Sequence, residues 1–151
     1  MLAGFDHVAV LTADLDGFVG FYEEVFGARV EGRLSEDGLT MVVLRIGPTS
    51  EINVFQIDGN DEAARQTPIF GRGRLDHFAF RASSIEQFDE LREELMRRGC
   101  TDGFVTDFGH VLSVFFRDPE GLELEVCVGN PDAVPERINP PGTPAARYHD
   151  R

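Results

Sequence analysis

Two histidines and a glutamate are the residues of this chain with the types and setting to do chemistry together. His7 sits in Phe5-Asp6-His7-Val8-Ala9-Val10, and His77 sits in the matching string Leu75-Asp76-His77-Phe78-Ala79-Phe80. Glu125 lies in the alternating stretch Leu122-Glu123-Leu124-Glu125-Val126. Two imidazoles and one carboxylate are a sufficient set of protein ligands for a catalytic divalent metal, because they leave positions open for water or substrate. Fe, Mn, Ni, Co and Zn all suit such donors, and the residue types do not choose among them. A metal held this way polarises a carbonyl or enolate oxygen, or lowers the pKa of bound water.

The elements that must position these residues follow from an internal repeat. The register that carries His7 onto His77 also carries Asp14-Leu15-Asp16-Gly17-Phe18 onto Ser84-Ile85-Glu86-Gln87-Phe88. After the first helix the register lengthens by two residues and aligns Gly27 with Gly99, Arg45 with Arg117, Glu51 with Glu123, Ile52 with Leu124 and Val54 with Val126. Each copy reads as a βαβββ unit. Asp6 to Leu11 and Asp76 to Arg81 have the pattern of half-buried strands. Asp14 and Ser84 are expected helix N-caps, with Gln87 completing a capping box after Ser84. Leu15, Phe18, Tyr22 and Val25 make one apolar helical stripe, Ile85, Phe88, Leu91 and Leu95 the other, and Gly99 fits a helix C-terminus. Further strands are expected near 28–34, 39–46, 51–57, 102–107, 111–117 and 122–128, with turns at Gly38, Gly47-Pro48 and Asp118-Pro119-Glu120-Gly121.

Alternation along a strand then assigns faces. Val8, Val10, Phe78, Phe80, Leu122, Leu124 and Val126 should face the helices, which turns His7, His77, Glu123 and Glu125 to the opposite face. Asn53 occupies in the first copy the position of Glu125 in the second. Glu51 shares that inner face and is a weaker candidate for a fourth ligand. A lone strand histidine is ordinarily just a polar residue facing solvent. Two histidines at matching positions of a duplicated unit, with a carboxylate on the same face, favour the metal instead.

Composition narrows the classes of function. The net charge of -13 opposes nucleic-acid binding, since phosphate repulsion would resist every encounter. All 14 basic residues are arginine, so lysine Schiff-base chemistry is excluded. No apolar run approaches the roughly 20 residues of a membrane span, and the opening apolar stretch is interrupted by Asp6 and His7, unlike a signal peptide. Cys100 and Cys127 are too few for a disulfide framework and read as reduced cytoplasmic thiols. The expected organisation is one domain over 1–128, with modules at 4–58 and 75–128 and a polar connector at 59–74. A proline-rich arm at 129–151 follows, carrying five of the 8 prolines.

These strings resemble the vicinal oxygen chelate superfamily, which includes glyoxalase I, bleomycin and fosfomycin resistance proteins, methylmalonyl-CoA epimerase and extradiol dioxygenases. The resemblance covers about Phe5 to Val128. Its most specific part is Phe116-Arg117-Asp118-Pro119-Glu120-Gly121-Leu122-Glu123-Leu124-Glu125-Val126, similar to the family's Asp-Pro-acidic-Gly turn and the strand bearing a ligand Glu. It implies an α+β fold of paired βαβββ modules forming a curved mixed sheet around a metal cup, helices outside, within a homodimer. The family's metal positions fall on His7, Asn53, His77 and Glu125. Asn53 departs from the usual Glu or Gln; its carbonyl oxygen suits weak ligation or a hydrogen bond to substrate. Extradiol dioxygenases add a His and a Tyr at positions that fall here on Asn53 and Phe115, neither of which transfers a proton.

The activity this implies is a metal-dependent lyase or isomerase stabilising an enediolate or enolate of a small-molecule substrate. Glu125 is then a ligand and a candidate proton shuttle. His110 is a candidate general acid or base, with a solvent-exposed turn histidine as the plainer reading. Asn53, Arg45, Arg81 and Arg117 are candidate substrate contacts, the arginines for an anionic group, although exposed strand arginines are equally common. The alternatives are extradiol-type oxygenation at Fe(II), and metal-free sequestration of a drug-like molecule as in bleomycin-resistance members.

Overall fold

A computed structural model describes residues 5–65, 67 and 71–133. The chain divides into two compact units, residues 1–66 and 67–151. Most of the expected C-terminal arm, residues 134–151, lies outside the described residues.

The first unit runs β1 (His7–Leu11), α1 (Leu15–Phe26), β2 (Arg29–Glu36), β3 (Leu39–Ile46) and β4 (Ser50–Ile57). The second runs β5 (Ala79–Arg81), α2 (Ile85–Arg97), β6 (Val105–Asp107), β7 (Val111–Arg117) and β8 (Glu123–Gly129). A single turn of 3-10 helix at Glu62–Ala64 follows β4. The two sheets have the same order, β1-β4-β3-β2 and β5-β8-β7-β6. In each, the first strand pairs parallel with the last and the remaining pairs are antiparallel. This is the α+β arrangement of tandem βαβββ modules. The parallel pair requires a crossover, which the helix and the two middle strands supply. β5 and β6 are shorter than the alternation predicts.

Local chemistry explains the helix ends. The Asp14 carboxylate accepts the Gly17 N–H at 3.0 Å, and the Ser84 hydroxyl accepts the Gln87 N–H at 3.2 Å. Gln87 does not close the expected box onto Ser84; its Oε1 accepts from the backbone N–H of Ser83 at 2.7 Å and from the Ser83 hydroxyl at 2.8 Å. α1 ends at Gly27, whose φ of 63° favours glycine, and the Ala28 N–H returns to the Tyr22 carbonyl.

Each core lies between a helix and one sheet face. Val42, Leu44, Ile52 and Val54 are buried in the first unit, and their repeat partners Val114, Phe116, Leu124 and Val126 are buried in the second. Burying each of these side chains contributes about 1.5–3 kcal/mol. α1 adds Phe18, Phe21 and Tyr22, with the Phe18 and Tyr22 rings stacked at 4.3 Å. α2 buries Phe88 and Leu95, while Ile85 and Leu91 are only half-buried. Among the described residues, no helix is long and apolar enough to cross a membrane.

Candidate metal centre

The repeat fixes equivalent register positions in the two sheets. Asn53 pairs with Ala9, and Glu125 pairs with Ala79. Asn53 and Glu125 are therefore structural counterparts, as the sequence register requires. The same holds one strand repeat earlier, where Arg45 lies opposite Glu51 and Arg117 opposite Glu123.

In the second unit His77 lies two residues before β5, and Glu125 lies on β8. His77 Nε2 stands 3.4 Å from Glu125 Oε2. The other ring nitrogen, Nδ1, donates to the Asp76 carboxylate at 2.7 Å, since a carboxylate can only accept. Glu125 is itself fixed: the Ser113 hydroxyl donates to its Oε1 at 2.9 Å, and the Cys127 thiol lies 3.7 Å from its Oε2. The Phe115 ring contacts His77 edge-on at 6.0 Å. Burial, followed by the neighbouring Glu125 charge, pushes the Cys127 thiol up to about 11, so it is not a ready thiolate at neutral pH.

Two carboxylates on β8 show what is distinctive about this site. Glu123 is 1% exposed and is met by two guanidinium groups: Arg117 at 2.6 Å and Arg72 at 3.2 Å. Glu125, two residues along on the same face, is 8% exposed and faces the His77 ring, not an arginine. A buried carboxylate without a fixed cation is costly unless a cation arrives.

The His77–Glu125 pair fits two ligand positions of one divalent metal. Two ligand atoms each about 2.1 Å from one ion at a near-tetrahedral angle are about 3.4 Å apart, which is the His77–Glu125 separation. The carboxylate bonded to Nδ1 is the usual outer partner of a metal-binding histidine.

In the first unit His7 lies on β1 and repeats the arrangement, its Nδ1 donating to the Asp6 carboxylate at 2.8 Å. The Asn53 side-chain oxygen is buried with no hydrogen-bond partner, as an oxygen awaiting a ligand would be. Glu51 is committed elsewhere: it pairs with Arg45, which also holds Glu31 at 2.9 Å. That pairing counts against Glu51 as a fourth ligand, and it fixes Arg45 within its own sheet just as Glu123 fixes Arg117. Arg81, on β5 opposite Cys127, makes no ion pair among the described residues. His110 is exposed at the turn between β6 and β7. Within one unit, the predicted ligands that come together are His77 and Glu125. Among the described residues, no three His, Cys, Asp or Glu side chains form a group able to hold a metal ion.

Several residues of this site escaped the sequence reading. Asp6 and Asp76 had a visible signal, the Asp-His pair repeated in both modules. Ser113 had none. Arg72 lay in the stretch read as a polar connector, yet it also donates to the backbone carbonyls of Thr67, Asp76 and Glu123 at 2.6, 2.8 and 3.2 Å. The Asp118-Pro119-Glu120-Gly121 motif is a turn that sets the start of β8. The Asp118 carboxylate accepts from the N–H groups of Glu120 and Leu122, and burial pushes it up to about 6.

Tandem βαβββ modules with this shared strand order define the glyoxalase-type fold class. The chain belongs to the Glyoxalase/Bleomycin resistance protein/Dioxygenase superfamily, whose family model matches residues 4–126. Among solved structures, it is similar to a glyoxylase/bleomycin resistance protein/dioxygenase domain from Frankia sp. EAN1pec. The identity is 25%, with 87% of this chain and 95% of that one covered and a TM-score of 0.73. It shares its fold with the fosfomycin resistance protein FosX from Listeria monocytogenes complexed with Mn(II) and sulfate, at 18% identity, 87% and 96% coverage and a TM-score of 0.60. A possible glyoxalase from Bacillus cereus is similar at 21% identity, 83% and 98% coverage and a TM-score of 0.58. A search of curated proteins finds no match.

Proposed function

We propose that the protein is a metal-dependent enzyme, a lyase or isomerase acting on a small molecule that passes through an enediolate or enolate. His7, His77 and Glu125 are the metal ligands in this reading, for one divalent Fe, Mn, Ni, Co or Zn ion per site. The observation that carries it is Glu125: a buried carboxylate held by Ser113 and facing His77 Nε2 at 3.4 Å, without the guanidinium partners that Glu123 has. The Mn(II) in the FosX complex agrees with a divalent ion in this fold. When bound, the metal supplies Lewis acidity toward a substrate oxygen.

The chain's own residues do the rest. Ser113 orients Glu125 through Oε1, so that Oε2, the atom facing His77, would be the metal-ligating oxygen, and Glu125 is the candidate proton shuttle. The unpartnered oxygen of Asn53 accepts a substrate hydroxyl, and Arg81 takes an anionic substrate group. Proton transfer is assigned to Glu125 rather than to exposed His110. Phe115 beside His77 and the amide of Asn53 transfer no proton, which favours this chemistry over extradiol ring cleavage. The reading includes a cytoplasmic homodimer.

Protein purified without chelator should carry about one equivalent of metal per site, lost in His77→Ala and Glu125→Ala variants. Screening with α-ketoaldehydes, acyl-CoA thioesters and catechols then separates the activities. Oxygen uptake with catechols would select the dioxygenase instead. Tight small-molecule binding by metal-free protein, unaffected by His77→Ala, would replace the enzyme with a binding protein.

A further inference from the structure

We infer that Asp76 is a positioning residue that decides which nitrogen of His77 is offered to the metal, with Asp6 a weaker counterpart for His7; this rests on the metal-centre reading above. A carboxylate has no proton to give, so the 2.7 Å contact places the proton of a neutral imidazole on Nδ1. The lone pair is then on Nε2, and Nε2 is the nitrogen that faces Glu125. With the opposite tautomer, the nitrogen facing Glu125 would carry a proton and could not ligate.

The contact is not a by-product of strand geometry. Neighbouring strand residues point to opposite faces, whereas Asp6 and Asp76 each bond the ring of the next residue. Asp6 lies directly before β1 and Asp76 three residues before β5, outside the strands. The arrangement recurs in both units, at 2.8 and 2.7 Å. In the second unit the backbone is also anchored, because Arg72 donates to the Asp76 carbonyl at 2.8 Å while bonding the Glu123 carboxylate.

Burial ranks the two pairs. The Asp76 and His77 side chains are 27% and 25% exposed, whereas those of Asp6 and His7 are 91% and 44% exposed. Water competes for the Asp6 bond far more than for the Asp76 bond. The edge contact from Phe115 further limits how the His77 ring turns. Asp76 therefore holds the tautomer and the orientation of its histidine, and Asp6 does so only in part.

The test uses the full chain and two readouts. Proton–nitrogen correlation spectra of the neutral histidine rings, recorded on metal-free protein, report the tautomer. Titration with Mn(II), followed by electron paramagnetic resonance of the free ion, reports affinity. The parent protein should show Nδ1–H at His77. Asp76→Ala should shift it toward Nε2–H and weaken Mn(II) binding by about 10–100-fold. Asp76→Asn, whose Oδ1 still accepts, should keep the tautomer and lose less affinity, which also guards against a folding defect in the alanine variant. Asp6→Ala should lose less than Asp76→Ala. An unchanged tautomer in Asp76→Ala overturns the inference whatever the affinity, because any loss would not then act through the ring nitrogen. Failure of the metal-centre reading shows separately: the parent protein would bind no Mn(II), and the inference falls at its premise.

Discussion

Glu123 and Glu125 lie two residues apart on one face of β8, and replacing each by Gln should have opposite consequences for stability. Glu123→Gln leaves Arg72 and Arg117 facing a neutral amide. Removing one partner of a buried ion pair costs about 3–5 kcal/mol. Here the Arg72 side chain is 11% exposed and that of Arg117 is 35% exposed, so water compensates part of the loss. A cost of about 2–3 kcal/mol is expected. Glu125→Gln removes a buried charge that lacks a guanidinium partner and keeps an oxygen for the Ser113 hydroxyl. In chelator-treated protein it should therefore be neutral or stabilising by about 1 kcal/mol. Adding Mn(II) at about 100 times its dissociation constant should stabilise the parent by about 2.7 kcal/mol and the Glu125→Gln variant by much less. Urea unfolding of the three proteins, with chelator and with Mn(II), measures all four quantities. If Glu125→Gln destabilises chelator-treated protein as much as Glu123→Gln does, then Glu125 is a structural carboxylate and the reasoning from its missing cation is wrong.

Asp118 gives a pH prediction. Burial raises its carboxyl from 3.8 to about 6 in the folded protein, so the folded state binds the extra proton between those values. Its contribution to stability is fully present below about pH 4 and is lost as pH rises through about 6, a change on the order of 2–3 kcal/mol. The melting temperature of the parent, relative to Asp118→Asn, should fall across that range, and a difference independent of pH would refute the assignment. Leu124 is fully buried on the helix-facing side of β8, so Leu124→Ala should cost about 2–5 kcal/mol in urea unfolding. A cost below about 1 kcal/mol would mean that this residue does not fill the core.

The sequence alone determined the duplication and the face on which each strand residue lies. Both follow from local rules: side chains alternate along a strand, so apolar residues at Val42, Leu44, Ile52 and Val54 and their repeat partners had to share one face. The placement of Asn53 opposite Ala9 and Glu125 opposite Ala79 follows from the same register. The repeat also aligned Arg45 with Arg117 and Glu51 with Glu123. It gave no sign that each arginine sits across the ladder from its glutamate, because that depends on which strands pair. Two arginines read as substrate contacts are for that reason held by carboxylates of their own sheets.

Only the tertiary structure decided which buried charges are neutralised. Arg72 reaches Glu123 across 51 positions of chain, and Ser113 reaches Glu125 across 12. Such contacts depend on how the chain returns on itself, which no local pattern encodes. The Asp-His pairs lie between these cases. Their recurrence was plain in the residues, but the bond from Nδ1 needed the conformation of both side chains.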